Sequence, residues 1–292
     1  MKTLSLLSLC LVLGACGDKD TTDDSSATDD TAAAEGNGLP EGSSTWEGNI
    51  ELAGFNFFVD VTIANSGGDL TGSIAFEDDP SNPSGLGTGT FGFTGTHDPV
   101  SGLVGIAPDD WIVPNNNSEL LGFYGSYDPS TDTISGTMVD AASRTDNTFR
   151  GGPGSFTRVS GDGARTTAGD GAKALSTDLR HWSGTFQCAS AVRPIEGELQ
   201  YDGNGGVTGW LTFAEEDLAD PCCTHDIYGV HNPTTGGVTL FPTTYTDYFA
   251  TDTNYSTNWY DLTYDPSDES MVGDVRVTRG GCRADQVMVS FD

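Results

Sequence analysis

The stretch FNFFVDVTI, residues 55–63, decides the fold class. Phe55, Phe57, Val59, Val61 and Ile63 share one face of an extended chain, and Asn56, Asp60 and Thr62 share the other. The same period of two returns in LTGSIAF at 70–76, in VTGWLTF at 207–213, and in Val287, Val289 and Phe291. No helical period of comparable length is present. Gly, Pro, Asn and Asp separate these runs, which reads as about eight short strands in each half of the chain. The expected fold is all-β: two tandem antiparallel meander β-barrels of about eight strands each, with β-sandwiches as the alternative. Short, sequential turns favour the meander barrel over Greek-key crossings.

The halves are copies of one another. Trp46-Glu47-Gly48 is echoed by Trp182-Ser183-Gly184, and LTGSIAF at 70 by VTGWLTF at 207. HDPVSGLVGIAP from 97 is echoed by HNPTTGGVTLFP from 231, and YDPSTDTISG from 127 by YDPSDESMVG from 264. The offsets are 136, 137, 134 and 137. Ordered matches at nearly constant spacing mark an internal duplication. Domain one is expected over 46–159 and domain two over 181–292. The polar stretch 160–180, SGDGARTTAGDGAKALSTDLR, reads as a linker with one helical turn near Ala174-Leu175, so the two domains are expected to fold independently.

His97-Asp98 places a histidine beside an aspartate, which suggests a general base with its orienting acid. Its copy is His231-Asn232, and asparagine cannot serve as an ionised orienting acid. The slots at 127 and 264 hold Tyr-Asp-Pro instead. The shared element, [His/Tyr]-[Asp/Asn]-Pro, is turn chemistry. Asp or Asn accepts a backbone N–H, Pro presets φ, and Gly102 or Gly236 takes φ > 0 as the strand resumes. No catalytic residue is assigned.

With 12 Lys and Arg against 43 Asp and Glu, the formal charge is −31. Such a polyanion repels nucleic acid and anionic surfaces, so no nucleic-acid partner is expected. Hydrolase, phosphate-loop and calcium-loop motifs are missing. YDGNGG from 201 reads as a hairpin turn, and Glu215-Glu216-Asp217 as a solvated loop end. Cys222, Cys223, His225 and His231 are plausible zinc ligands, but their spacing fits no zinc motif; no metal or cofactor is assigned. Trp111, Trp210, Trp259 and Tyr245 read as core packing rather than as a sugar or lipid platform.

Residues 1–15 read as a signal peptide: Lys2, then an apolar run from Leu4 to Leu13 too short to span a membrane. Leu13-Gly14-Ala15-Cys16 resembles the lipobox of bacterial lipoproteins. That resemblance implies cleavage before Cys16 and acylation there, so a lipid anchor at Cys16 is the expected membrane partner. Gly17 rather than Asp follows Cys16, which points to the outer membrane of a diderm bacterium. Residues 16–45, with Leu39 as the one apolar side chain larger than Ala, read as a disordered acidic tether. Outside the cytoplasm, the remaining cysteines are expected to form disulfides. In a closed meander the first and last strands are neighbours, which pairs Cys188 with Cys282 and leaves Cys222 and Cys223 for a possible second bridge.

Each copy also resembles a recurrent β repeat of secreted bacterial proteins, patterned as Trp-x-Gly-x-aromatic-x-Cys, an Asp-Pro turn and a late Gly-Cys. WSGTFQC supplies Trp182, Gly184, Phe186 and Cys188, and GGC ends at Cys282. Domain one departs from it, with Leu52 at the first Cys position. The resemblance carries no activity. The expectation is a non-enzymatic envelope protein with a binding or structural role, its protein or glycan partner open. The rivals are a barrel carrier of a small apolar ligand and an extracytoplasmic hydrolase.

Overall fold

The computed structural model describes residues 37–292 apart from 53, 85–86, 115–119, 140–150, 162, 189–190, 215–222, 249–257 and 277–283. The signal segment, Cys16, Glu215-Glu216-Asp217, Cys222 and Cys282 therefore lie outside the described residues, as do the side chains of Cys188, Cys223 and Tyr245.

Barrel one comprises β1 (Gly42–Leu52), β2 (Phe55–Ser66), β3 (Asp69–Asp78), β4 (Gly89–His97), β5 (Leu103–Val113), β6 (Gly122–Asp128), β7 (Thr133–Val139) and β8 (Gly152–Ser160). Barrel two comprises β9 (Arg180–Cys188), β10 (Ala191–Tyr201), β11 (Gly206–Phe213), β12 (Cys223–His231), β13 (Gly237–Tyr248), β14 (Trp259–Asp265), β15 (Ser270–Arg276) and β16 (Ala284–Phe291). Both are closed antiparallel meanders. The first closes through β1 on β8, with Gly48 opposite Phe156. The second closes through β16 on β9, with Val289 opposite Gly184. The sandwich alternative is thereby set aside.

The alternation read from residues 55–63 is the wall of barrel one. Phe57, Val59, Val61 and Ile63 point inward and are buried, while Asn56, Asp60 and Thr62 face out. Trp46 and Trp182, the duplicated tryptophans, are each 1% exposed and sit in the two separate cores. Phe123 packs on Phe156 in the first core, and Phe186 on Phe213 in the second. Large side chains thus fill both interiors, as small eight-stranded barrels permit.

The four Asx-Pro turns join β4 to β5, β6 to β7, β12 to β13 and β14 to β15. Gly102 and Gly236 adopt φ of 80° and 85°. The turns with tyrosine use Asp132 and Glu269 instead, both at φ 52°. A carboxylate is useful there: Asp132 accepts from the Tyr127 hydroxyl and from Arg158, and Glu269 from Arg180. YDGNGG is a hairpin turn too, with Asp202 Oδ1 accepting the N–H groups of Asn204 and Gly206.

Two segments differ from their compositional reading. The tether was expected to stay disordered through residue 45, yet Leu39 is 1% exposed and belongs to the core of barrel one. Among its described residues the 160–180 segment forms no helical turn; Ala172 and Lys173 make a turn instead. It is pinned along its length. Arg165 reaches the Pro129 carbonyl, Thr166 Oγ1 the Leu39 carbonyl, and Lys173 Nζ the Thr235 carbonyl. Leu175 inserts into the core of barrel two. The described residues from 37 to 292 accordingly belong to one compact unit.

Candidate functional site

His97 and His231 each end an inward-facing row, on β4 and β12, and both are fully buried. His97 Nε2 accepts the Leu39 N–H at 2.9 Å, so its proton sits on Nδ1, which donates to the Leu103 carbonyl at 2.9 Å. His231 repeats this: Nε2 accepts the Leu175 N–H at 3.0 Å and Nδ1 donates to the Gly237 carbonyl at 3.0 Å. Burial pushes both imidazoles down to about 4, against the pull of the carbonyls they face and of Asp98. Each histidine is therefore a neutral clamp that holds a leucine plug in the end of its barrel. Neither ring has a nitrogen left for a substrate proton or a metal.

Sequence reasoning missed the two plugs. Leu39 and Leu175 both stand seven residues before the duplicated tryptophan, at the same offset of 136. That extended match was the available signal.

Asp98 and Asn232 act as the turn reading requires. Asp98 accepts the N–H groups of Val100 and Ser101, and Asn232 Oδ1 those of Thr234 and Thr235. The asparagine does more. Its Nδ2 donates to the carbonyls of Gly67 and His97, each at 2.9 Å, and so ties barrel two to barrel one. A Cβ on Gly68 would lie 2.0 Å from that nitrogen, so this close approach needs glycine.

Around this tie the β4–β5 hairpin packs against the β12–β13 hairpin, its own duplicate. Thr239 Oγ1 donates to Thr96 Oγ1 at 2.9 Å, and Thr235 Oγ1 to Asp69 Oδ1 at 2.8 Å. Arg276 pairs with Asp109. To one side lies an aromatic cluster: Tyr124 meets Tyr228 edge-on at 5.0 Å, and Phe241 stacks on Tyr228 at 5.5 Å. To the other side is a cavity of about 220 Å³, walled by Asp69, Thr71, Thr94 and Thr96 from barrel one and by Asp261 and Thr263 from barrel two. Burial raises the Asp261 carboxyl above the usual range, against the pull of Thr94, Arg276 and Thr239.

The other sequence candidates do not converge. His225 is buried inside barrel two beside Phe213, and both ring nitrogens of His231 are taken by its clamp, while Cys222 and the side chain of Cys223 lie outside the described residues. No metal-binding cluster occurs among the described residues. Trp111 packs on Phe76 and Phe91, Trp210 donates to Glu198, and Trp259 is buried between the barrels. These three make no shared platform. The inter-barrel cavity is a concavity in which polar side chains of both copies meet. Compared with known proteins, the chain matches no protein-family model and no curated protein.

Proposed function

We propose that the chain is a lipid-anchored cell-envelope protein, held at Cys16, whose paired barrels serve as a rigid, non-enzymatic binding or structural module. The observation that carries the non-catalytic reading is the His97 clamp. In His97-Asp98, the pair that suggests a general base, both ring nitrogens and both carboxylate oxygens are spent on backbone groups and one hydroxyl. The filled interiors weigh against a carrier of an apolar ligand, because the inward positions are already occupied by the protein's own side chains. The anchor rests on the lipobox resemblance. A Cys188–Cys282 bridge would accord with an oxidising compartment; the strands β9 and β16 are neighbours in the barrel.

A fatty-acid probe should label the protein in cells, and Cys16→Ser should abolish the label and release the chain from membranes. Continued labelling of that variant would refute the anchor. A non-reducing peptide map of the same sample should join the Cys188 and Cys282 peptides; four free thiols would refute the bridge and the compartment with it.

A further inference from the structure

The duplication relates each position between the barrels to a partner position. Strand β4 maps onto β12 at the offset of His97 to His231, and β6 onto β14 at the offset of Tyr127 to Tyr264. Tyr228 therefore corresponds to Thr94, and Tyr124 to Asp261. Phe241 corresponds to Ala107 by the offset of the β4–β5 and β12–β13 turns. Two of the rings on one side, Tyr228 and Tyr124, are thus a threonine and an aspartate on the other, while Ala107 stays within the aromatic cluster beside Phe241. The aromatic side is packed. The substituted side is the cavity of about 220 Å³. A duplicated surface that needed only to cohere could keep the rings on both sides; here one side has exchanged two of them for a carboxylate and a hydroxyl.

We propose that this cavity is a binding site for a small polyhydroxylated ligand the size of one sugar ring. The chemistry of the wall selects the class. Asp69 and Asp261 are acceptors for neighbouring hydroxyls, and Thr71, Thr94, Thr96 and Thr263 both donate and accept. None of the lining residues is basic, which disfavours anions. A bare divalent cation would need six to eight oxygens at about 2.3–2.6 Å, a tighter cage than this space provides. Drug-sized ligands occupy roughly 300–1,000 Å³, so the cavity suits a monosaccharide rather than an extended oligosaccharide. The inference rests on reading the chain as a binding module but not on its anchor, so the Cys16 experiment and the following one fail separately.

The test uses the full chain and a panel of free glucose, galactose, mannose and N-acetylglucosamine, read by saturation-transfer difference NMR. Wild type should transfer saturation to at least one of them, with weak, saturable affinity. The double variant Thr94→Tyr/Asp261→Tyr rebuilds the aromatic side, and should keep the circular dichroism spectrum while losing the transfer. Asp69→Asn and Asp261→Asn keep the shape of the wall and serve if the double variant does not fold; each should weaken binding tenfold or more. Wild type giving no transfer to any of the four sugars overturns the proposal. So does transfer that survives in the folded double variant or is unchanged in both asparagine variants, and so does a site that saturates with calcium alone.

Discussion

Replacing Asn232 by aspartate changes one NH₂ group into an oxygen at a fully buried position, with no change of shape. The nitrogen it removes donates to two carbonyls, Gly67 and His97, at 2.9 Å each. Asn232→Asp deletes both hydrogen bonds, worth about 1 kcal/mol apiece. It also points a carboxylate oxygen at two buried carbonyl oxygens, and leaving them unsatisfied costs a further ~1–3 kcal/mol in all. The turn bonds to Thr234 and Thr235 remain, since an oxygen still accepts them. A loss of about 3–5 kcal/mol is expected at pH 7. For an ordered region of this size that is a fall in Tm of roughly 10 °C. The sign of the pH dependence follows from the same geometry. Carbonyls facing the new carboxyl raise its folded pKa above the unfolded value, so the penalty is full above that pKa and shrinks as acid protonates the group. Urea unfolding followed by tryptophan fluorescence, wild type against variant at pH 7 and pH 5, measures both. A difference below about 1 kcal/mol at pH 7, or one that grows on acidification, would refute the role given to this amide.

Wild type itself should lose stability in acid. His97 and His231 stay neutral down to about 4 and His225 to about 3, against an ordinary 6.5, so below 6.5 the unfolded chain binds more protons and stability falls with pH. Each clamp histidine contributes about 3 kcal/mol to that loss by pH 4, read as a lower urea midpoint; the carbon-bound ring protons of His97 and His231 should show no titration by NMR between pH 8 and 5, and a midpoint near 6.5 would contradict the clamp. Leu39→Ala empties the plug of barrel one and should cost about 2–5 kcal/mol in the same unfolding assay, whereas a freely moving tether residue would cost nothing.

The barrel walls were legible because a strand's inner face imposes its period directly on the sequence. Phe57, Val59 and Val61 declare the wall without help from any distant residue. The turns were legible because Asp-Pro and a following glycine act within five residues. The plugs were not, because Leu39 stands alone in a polar stretch and is buried only by contacts made elsewhere. Its N–H bonds to a histidine 58 positions away. The cavity was still less visible. Thr94 and Asp261 lie on outward faces, where alternation predicts solvent, and what they face depends on how the second copy docks. Phe241 and Trp259 gave a trace of that docking, as large apolar residues on the outward rows of β13 and β14 that are nonetheless fully buried.

Closure of each barrel by its own first and last strands has a consequence for assembly. All the strand partners of barrel one lie between Gly42 and Ser160, so its sheet can be completed while residues beyond 180 are still being delivered. Joining β1 to β8 is a long-range step, and such steps are slow because chain entropy is lost before the contact repays it. Barrel two carries the same delay through β9 and β16. The Asn232 amide can find the Gly67 and His97 carbonyls only once the β2–β3 and β4–β5 turns have set. During synthesis the second half is expected to dock onto a finished first half, so that the order of synthesis becomes an order of construction.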